Sequence, residues 1–163
     1  HALFSWPAAE ASPLDWPKPG NTMKRTLFAA LLATSSVAHA SEAERFGSIS
    51  EVVQKYLDGT QYGMPDLVEE AFLPSLEVQW LGEGDSLQRR PGPEYIERIE
   101  KGRTVPRFGR IVSVDSTEKS AMVKAEIRWN GRLYTDYMLL LKVEGDWRIA
   151  NKIASWTQES RPE

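Results

Sequence analysis

The chain has 163 residues, no cysteine, two histidines and a formal charge of −3. That length fits one soluble domain, and an acidic balance argues against general nucleic-acid binding, which rests on clustered cations. His1 and His39 both lie ahead of the predicted domain, so it has no Ser-His-Asp or Cys-His machinery and no zinc-type ligand set.

Residues 1–22 (HALFSWPAAEASPLDWPKPGNT) are rich in Pro and Ala and lack periodicity. They read as a mis-called or disordered leader outside the fold. Met23 opens a segment with a positive start, Lys24 and Arg25, then a short apolar run from Leu27 to Ala38, then Ala38-His39-Ala40 before Ser41. Those three features in that order predict a signal peptide over 23–40; a buried structural helix is the alternative. The run is too short to span a membrane, which takes about 20 residues. The expected product is a secreted or periplasmic domain over 41–163, free of the membrane once cleaved.

In that domain, Ile49, Val52, Val53, Tyr56 and Leu57 recur at helical spacing. Ser48 with Glu51 fits a capping box, and Gly59 fits a stop, which places a first helix over Ser48 to Leu57. A second helix is expected from Met64 to Phe72, opened by Pro65 and Asp66 and closed before Pro74. Leu76 to Leu81 alternates as a strand, and a further short strand follows the turn at Gly82 to Gly84. Pro93 to Lys101 reads as a third helix with Tyr95, Ile96 and Ile99 inward. The run from Arg89 to Arg110 is locally basic; it is read as a solvated face, with an anion-recognising rim as the alternative.

The remainder is β. Gly109 to Asp115 and Ala121 to Trp129 are strands, and Asn130-Gly131 is a strong two-residue hairpin signal because both turn positions need positive φ. Arg132 to Val143 pairs back, and Glu144-Gly145-Asp146, taken as a three-residue loop, leads into Trp147 to Trp156. Helices followed by an antiparallel meander make an α+β fold with helices on one sheet face.

These turns set the registers. Ile127 faces Tyr134, Ala125 faces Asp136, Val123 faces Met138, Asp136 faces Ala154 and Met138 faces Lys152. Asp136 and Lys152 are then diagonal neighbours. Trp80, Trp129, Tyr134, Met138, Lys152 and Trp156 are candidate ligand-binding residues around space left by Ala121, Ala125, Ala150 and Ala154. The opposite face, with Tyr137, Leu139, Leu141, Trp147, Ile149 and Ile153, is too apolar for water and predicts a homodimer. A cover by residues 1–22 or by the C-terminal tail is the alternative. No phosphate-binding glycine loop or dinucleotide fingerprint is present, so no cofactor and no metal are expected.

The order of elements and the DGxW-like turn resemble the nuclear transport factor 2-like fold. Ser50 to Phe72 and the stretch DYMLLLKVEGDWRIANK, Asp136 to Lys152, resemble the lumazine-binding-like family within it. The resemblance implies a cone-shaped domain, three N-terminal helices packed on a strongly curved antiparallel sheet. The same fold hosts ketosteroid isomerases, dehydratases and non-catalytic binding modules, so fold alone assigns no activity. VVQKY, Val52 to Tyr56, resembles the first helix of ketosteroid isomerases, which implies Tyr56 as an oxyanion donor and matches Phe72; the family's general base falls at Trp80, which cannot accept a proton. Two roles follow as expectations. One is an exported binder of a small, apolar or aromatic molecule. The other is a cofactor-free isomerase or dehydratase with Asp136 and Tyr56 as catalytic residues. An accessory protein with a filled pocket is a third. The plainer reading of Asp136 is an ion pair with Lys152 that fixes the meander.

Overall fold

A computed structural model describes residues 33–159, with side chains from Ser41 onward. The expected leader 1–22, and the expected signal segment up to residue 32, lie outside the described residues.

The first helix is longer than its predicted ten residues. α1 runs Ala33–Tyr62, so Ser48 is no N-cap: its hydroxyl donates 3.0 Å back to the carbonyl of Glu44 one turn earlier. Gly59 is not the stop either. α1 ends at Tyr62, and the φ of +65° at Gly63 suits the left-handed position after a helix. Gly59 has a different use, because a Cβ there would stand 2.5 Å from Cγ2 of Val68 and 2.9 Å from the Met64 carbonyl. The missing side chain lets α1 pack closely on α2, Pro65–Ala71. α2 begins with Pro65, whose absent N–H is unneeded there, and Asp66 favours the positive helix end.

β1, Glu77–Leu81, pairs antiparallel with β2, Leu87–Pro91, across a short 3₁₀ turn at Glu83–Asp85. α3 is short, Gly92–Glu97. β3 (Phe108–Ser116), β4 (Ser120–Trp129), β5 (Arg132–Val143) and β6 (Asp146–Gln158) form the meander. The strands make a single curved sheet in the order β2-β1-β6-β5-β4-β3. One pairing was not foreseen: β1 lies parallel to β6, with Val78 beside Lys152 and Trp80 beside Ala154.

The β4–β5 register is as predicted, with Trp129 opposite Arg132 and Ala125 opposite Asp136. Asn130 and Gly131 take φ of +53° and +71°, both positive as the tight turn requires. The β5–β6 connection differs. Val143 pairs with Asp146, so the loop has two residues, Glu144 and Gly145, rather than three. The ladder then slips by one where Leu139 pairs with Asn151 and Leu140 with Ile149, leaving Ala150 as a bulge. The bulge restores the predicted pairing of Asp136 with Ala154. On the turn side of it, though, faces are exchanged. Trp147 and Ile149, expected on the outer face, are 4 % and 0 % exposed in the core. Ala150, expected on the inner face, is the bulged residue.

The inner face of the sheet and the helices share one core. Ile49, Val53, Tyr56 and Leu57 of α1 meet Val123, Ala125, Ile127, Met138 and Leu140 of the meander. Each large apolar side chain so buried contributes about 1.5–3 kcal/mol. On the outer face Tyr137, Leu139, Leu141 and Ile153 are exposed.

Candidate functional site

The helical period of α1 turns Tyr56 toward the sheet, where it is fully buried. Gly109 of β3 makes this approach possible: a Cβ there would sit 2.5 Å from Cδ2 of Leu57. The strand period of β5 turns Asp136 to the same side, and the bulge in β6 keeps Lys152 there. The three side chains meet. The Tyr56 hydroxyl donates to Oδ2 of Asp136 at 2.7 Å, and Nζ of Lys152 donates to the same oxygen at 2.8 Å. Asp136 and Lys152 are 1 % and 4 % exposed, so the predicted pair forms in the interior.

A fourth member was not singled out by the sequence. Arg107 lies in the segment between α3 and β3, and Nη2 donates 2.8 Å to the Tyr56 hydroxyl. The segment is held by backbone bonds at the end of α1: Gly102 N–H to the Gly63 carbonyl and Val105 N–H to the Gln61 carbonyl, each 2.8 Å. Nε of Arg107 is buried and meets no hydrogen-bond partner. Tyr95 of α3 completes the group. Its ring lies 5.9 Å from Nζ of Lys152 and 5.9 Å from the Phe72 ring, which stacks on Tyr56 at 5.7 Å.

The two phenols are driven apart. Burial, then the charge of Asp136, hold the Tyr56 hydroxyl well above the ordinary phenol range. Burial also raises Tyr95, but the charges of Arg107 and Lys152 outweigh it, and its pKa falls below the usual value. Burial opposes the charge of Arg107, yet Tyr56, Tyr95 and Asp136 together keep its pKa above that of a free guanidinium.

Above this group opens a cavity of about 250 Å³. Trp129, Tyr134, Trp156 and Ala154, expected on one face, supply apolar wall together with Trp80; Asp136 and Lys152 lie at its surface, with Tyr95, Arg90 and Arg107. Trp129 and Tyr134 pack with centroids 6.1 Å apart, and the Arg90 guanidinium lies over the Trp80 ring at 4.8 Å. Met138 does not line this cavity; it is fully buried in the core. Parallel pairing with β6 carries Trp80 to the wall. Arg90, Tyr95 and Arg107 come from the basic run whose alternative reading was an anion-recognising rim, and that was the available signal for them. Among the described residues no group of acidic, His or Cys side chains could hold a metal ion, and no helix is long and apolar enough to cross a membrane.

A single phenol proton limits what this arrangement can do. Tyr56 gives it to Asp136 and accepts from Arg107, so it offers no free donor to a substrate oxyanion.

The family described as "Putative lumazine-binding" matches residues 44–155. No curated protein matches the chain. Similar solved structures include an NTF2-like protein of unknown function from Shewanella baltica, 22% identical with a TM-score of 0.65, covering 72% of this chain and 97% of that one. Another is an NTF-2 like protein of unknown function from Silicibacter pomeroyi, 24% identical with a TM-score of 0.65, over 71% and 98%. A ketosteroid isomerase-like protein from Erwinia carotovora atroseptica is 14% identical with a TM-score of 0.55, over 69% and 95%.

Proposed function

The chain belongs to the "Putative lumazine-binding" family, within the nuclear transport factor 2-like superfamily, and from that membership we propose that it is a non-catalytic binder of a small aromatic molecule. The observation that carries the reading is the cavity of about 250 Å³ with three tryptophans and Tyr134 in its wall and a few polar groups at its inner end. Apolar walls with few convergent polar groups characterise small-molecule sites, and the size falls just under the ~300 Å³ lower end of their range. A flat molecule of one or two rings suits it. The alternative, a cofactor-free isomerase or dehydratase working through Asp136 and Tyr56, has less support. Both groups are committed to each other and to Lys152 and Arg107, and an indole stands where the resemblance to ketosteroid isomerases would need a base.

The proposal extends to export and to a homodimer. Export rests on Lys24-Arg25, the apolar run and Ala38-His39-Ala40. The homodimer rests on the outer row Tyr137, Leu139, Leu141 and Ile153, which are 41 %, 53 %, 46 % and 50 % exposed. Trp147 and Ile149 no longer belong to that row.

Native mass spectrometry of the protein purified from the cell envelope tests the binding reading. The expected spectrum carries a small adduct that denaturation releases. Protein with no adduct, which also fails to bind any of a panel of mono- and bicyclic aromatics, would overturn it.

A further inference from the structure

The charges around the cavity do not balance. Lys152 is matched by Asp136 at 2.8 Å. Arg90 and Arg107 line the same cavity, and among the described residues neither makes an ion pair with a carboxylate. Arg107 is held by a neutral phenol at 2.8 Å, and its buried Nε has no partner at all. Arg90 lies over the Trp80 ring, 4.8 Å from its centroid, rather than against an acid. A half-buried guanidinium without a counter-charge, and with a donor left over, is costly unless something supplies the missing acceptor.

Resting on the small-molecule reading above, we propose that the cavity selects an anion: a planar aromatic molecule with one ionised oxygen-bearing group, such as a carboxylate, directed at Arg107 and Arg90. The same two arginines and Tyr95 also border a second cavity, lined further by Arg98 and by Arg103, which is paired with Glu100 at 2.7 Å, so the excess of cations there comes from Arg90, Arg98 and Arg107. A basic approach of this kind raises the local concentration of an anion before it reaches the aromatic wall. The planar guanidinium fork suits a carboxylate, which it meets with two parallel hydrogen bonds. Asp136 faces the same space, but its carboxylate already accepts from Tyr56 and Lys152, so its repulsion of an incoming anion is largely offset.

The test compares two probes of equal shape, 2-naphthoate and 2-naphthamide, by isothermal titration calorimetry on the full chain at neutral pH. The expected result is naphthoate at least about tenfold tighter, a difference of about 1.4 kcal/mol, with the ratio falling as salt rises. Arg107→Gln should bring the ratio close to one. Should Arg107→Gln fail to fold, Arg90→Gln takes its place with a smaller fall expected. Equal affinity for the two probes overturns the anion preference and leaves the aromatic pocket standing. A preference that survives in the folded arginine variants overturns the assignment to these residues. Failure of both probes to bind overturns this inference, and the pocket reading falls as well only when the wider panel of aromatics also fails and the purified protein carries no adduct.

Discussion

Tyr56 and Asp136 stand 80 positions apart in the chain and are joined in its interior by a hydrogen bond of 2.7 Å. The contact ties the first helix to the middle of the meander. It also spends the only proton the phenol has, so one bond couples the fold's assembly to the chemistry left for the cavity.

Removing that proton shows what the bond contributes. Tyr56→Phe leaves Asp136 with Lys152 but deprives Arg107 of its acceptor. The expected loss is about 1–3 kcal/mol of unfolding free energy, the range for orphaning buried polar groups. Urea denaturation reads it directly, and an unchanged midpoint would show that the bond is not formed in solution.

Asp136→Asn should cost more, because Lys152, 4 % exposed, would keep a charge without a partner. Breaking a buried pair from one side costs about 3–5 kcal/mol. The double variant Asp136→Leu with Lys152→Met should recover much of that loss. A double-mutant cycle that finds the two sites additive would rule out the pairing.

The phenols make a prediction in alkali. Tyr56 has its pKa raised by burial and by Asp136, so its contribution to stability is present below the unfolded value, ~10, and is lost as pH rises through its folded value. Tyr95 is shifted the other way, burial being outweighed by Arg107 and Lys152; its contribution is present above the unfolded value and lost as pH falls through the folded one. Of this pair Tyr95 should therefore ionise first, and Tyr95→Phe should remove tyrosinate absorbance that the parent gains below the ordinary phenol value. Superimposable curves for the two proteins below about pH 10 would contradict the order.

Gly59→Ala offers a test in which propensity and packing disagree. Alanine in place of a helical glycine gains about 1 kcal/mol from propensity alone. Here the new methyl would lie 2.5 Å from Val68 and 2.9 Å from the Met64 carbonyl. Overpacking of this kind costs about 1–3 kcal/mol, so the variant should melt lower than the parent. A rise in melting temperature would mean that α2 is free to move away.

The outer row supplies a test of assembly. Analytical ultracentrifugation of the parent at tens of micromolar should give the mass of two chains, and Leu139→Glu should give one, with the circular dichroism unchanged. A parent that sediments as a monomer sinks the homodimer.

Much of the sheet was legible because its signals are local. Asn130-Gly131 needs positive φ at both positions, and that alone fixes Asp136 opposite Ala125. The shared face of Asp136, Lys152, Trp129, Tyr134 and Trp156 followed from strand alternation, whereas Trp80 reaches the wall through the unforeseen parallel pairing of β1 with β6. Arg107 did not, since it sits in an irregular segment whose place is set by bonds to Gln61 and Gly63, some forty residues earlier in the chain. No period in the sequence encodes such a docking. The start of α1 was misjudged for a related reason: Ser48 has the chemistry of a cap, but the residues before it carry the helix on, and its hydroxyl turns back to Glu44. Trp147 and Ile149 were assigned to the wrong face because a two-residue turn followed by a bulge gives, beyond the bulge, the same register as a three-residue turn.

That bulge makes β6 two half-strands out of phase with each other. Before Ala150 the odd-numbered residues Trp147 and Ile149 point inward; after it the even-numbered Lys152 does. Drawing Ala150 into the ladder would move Lys152 to the outer row and set Ile153 against Asp136, stranding the acid. Deleting Ala150 would leave every existing cross-strand partner in place. The fold therefore depends less on the presence of this alanine than on its staying out of step, and the cavity keeps its lysine through a residue that pairs with nothing.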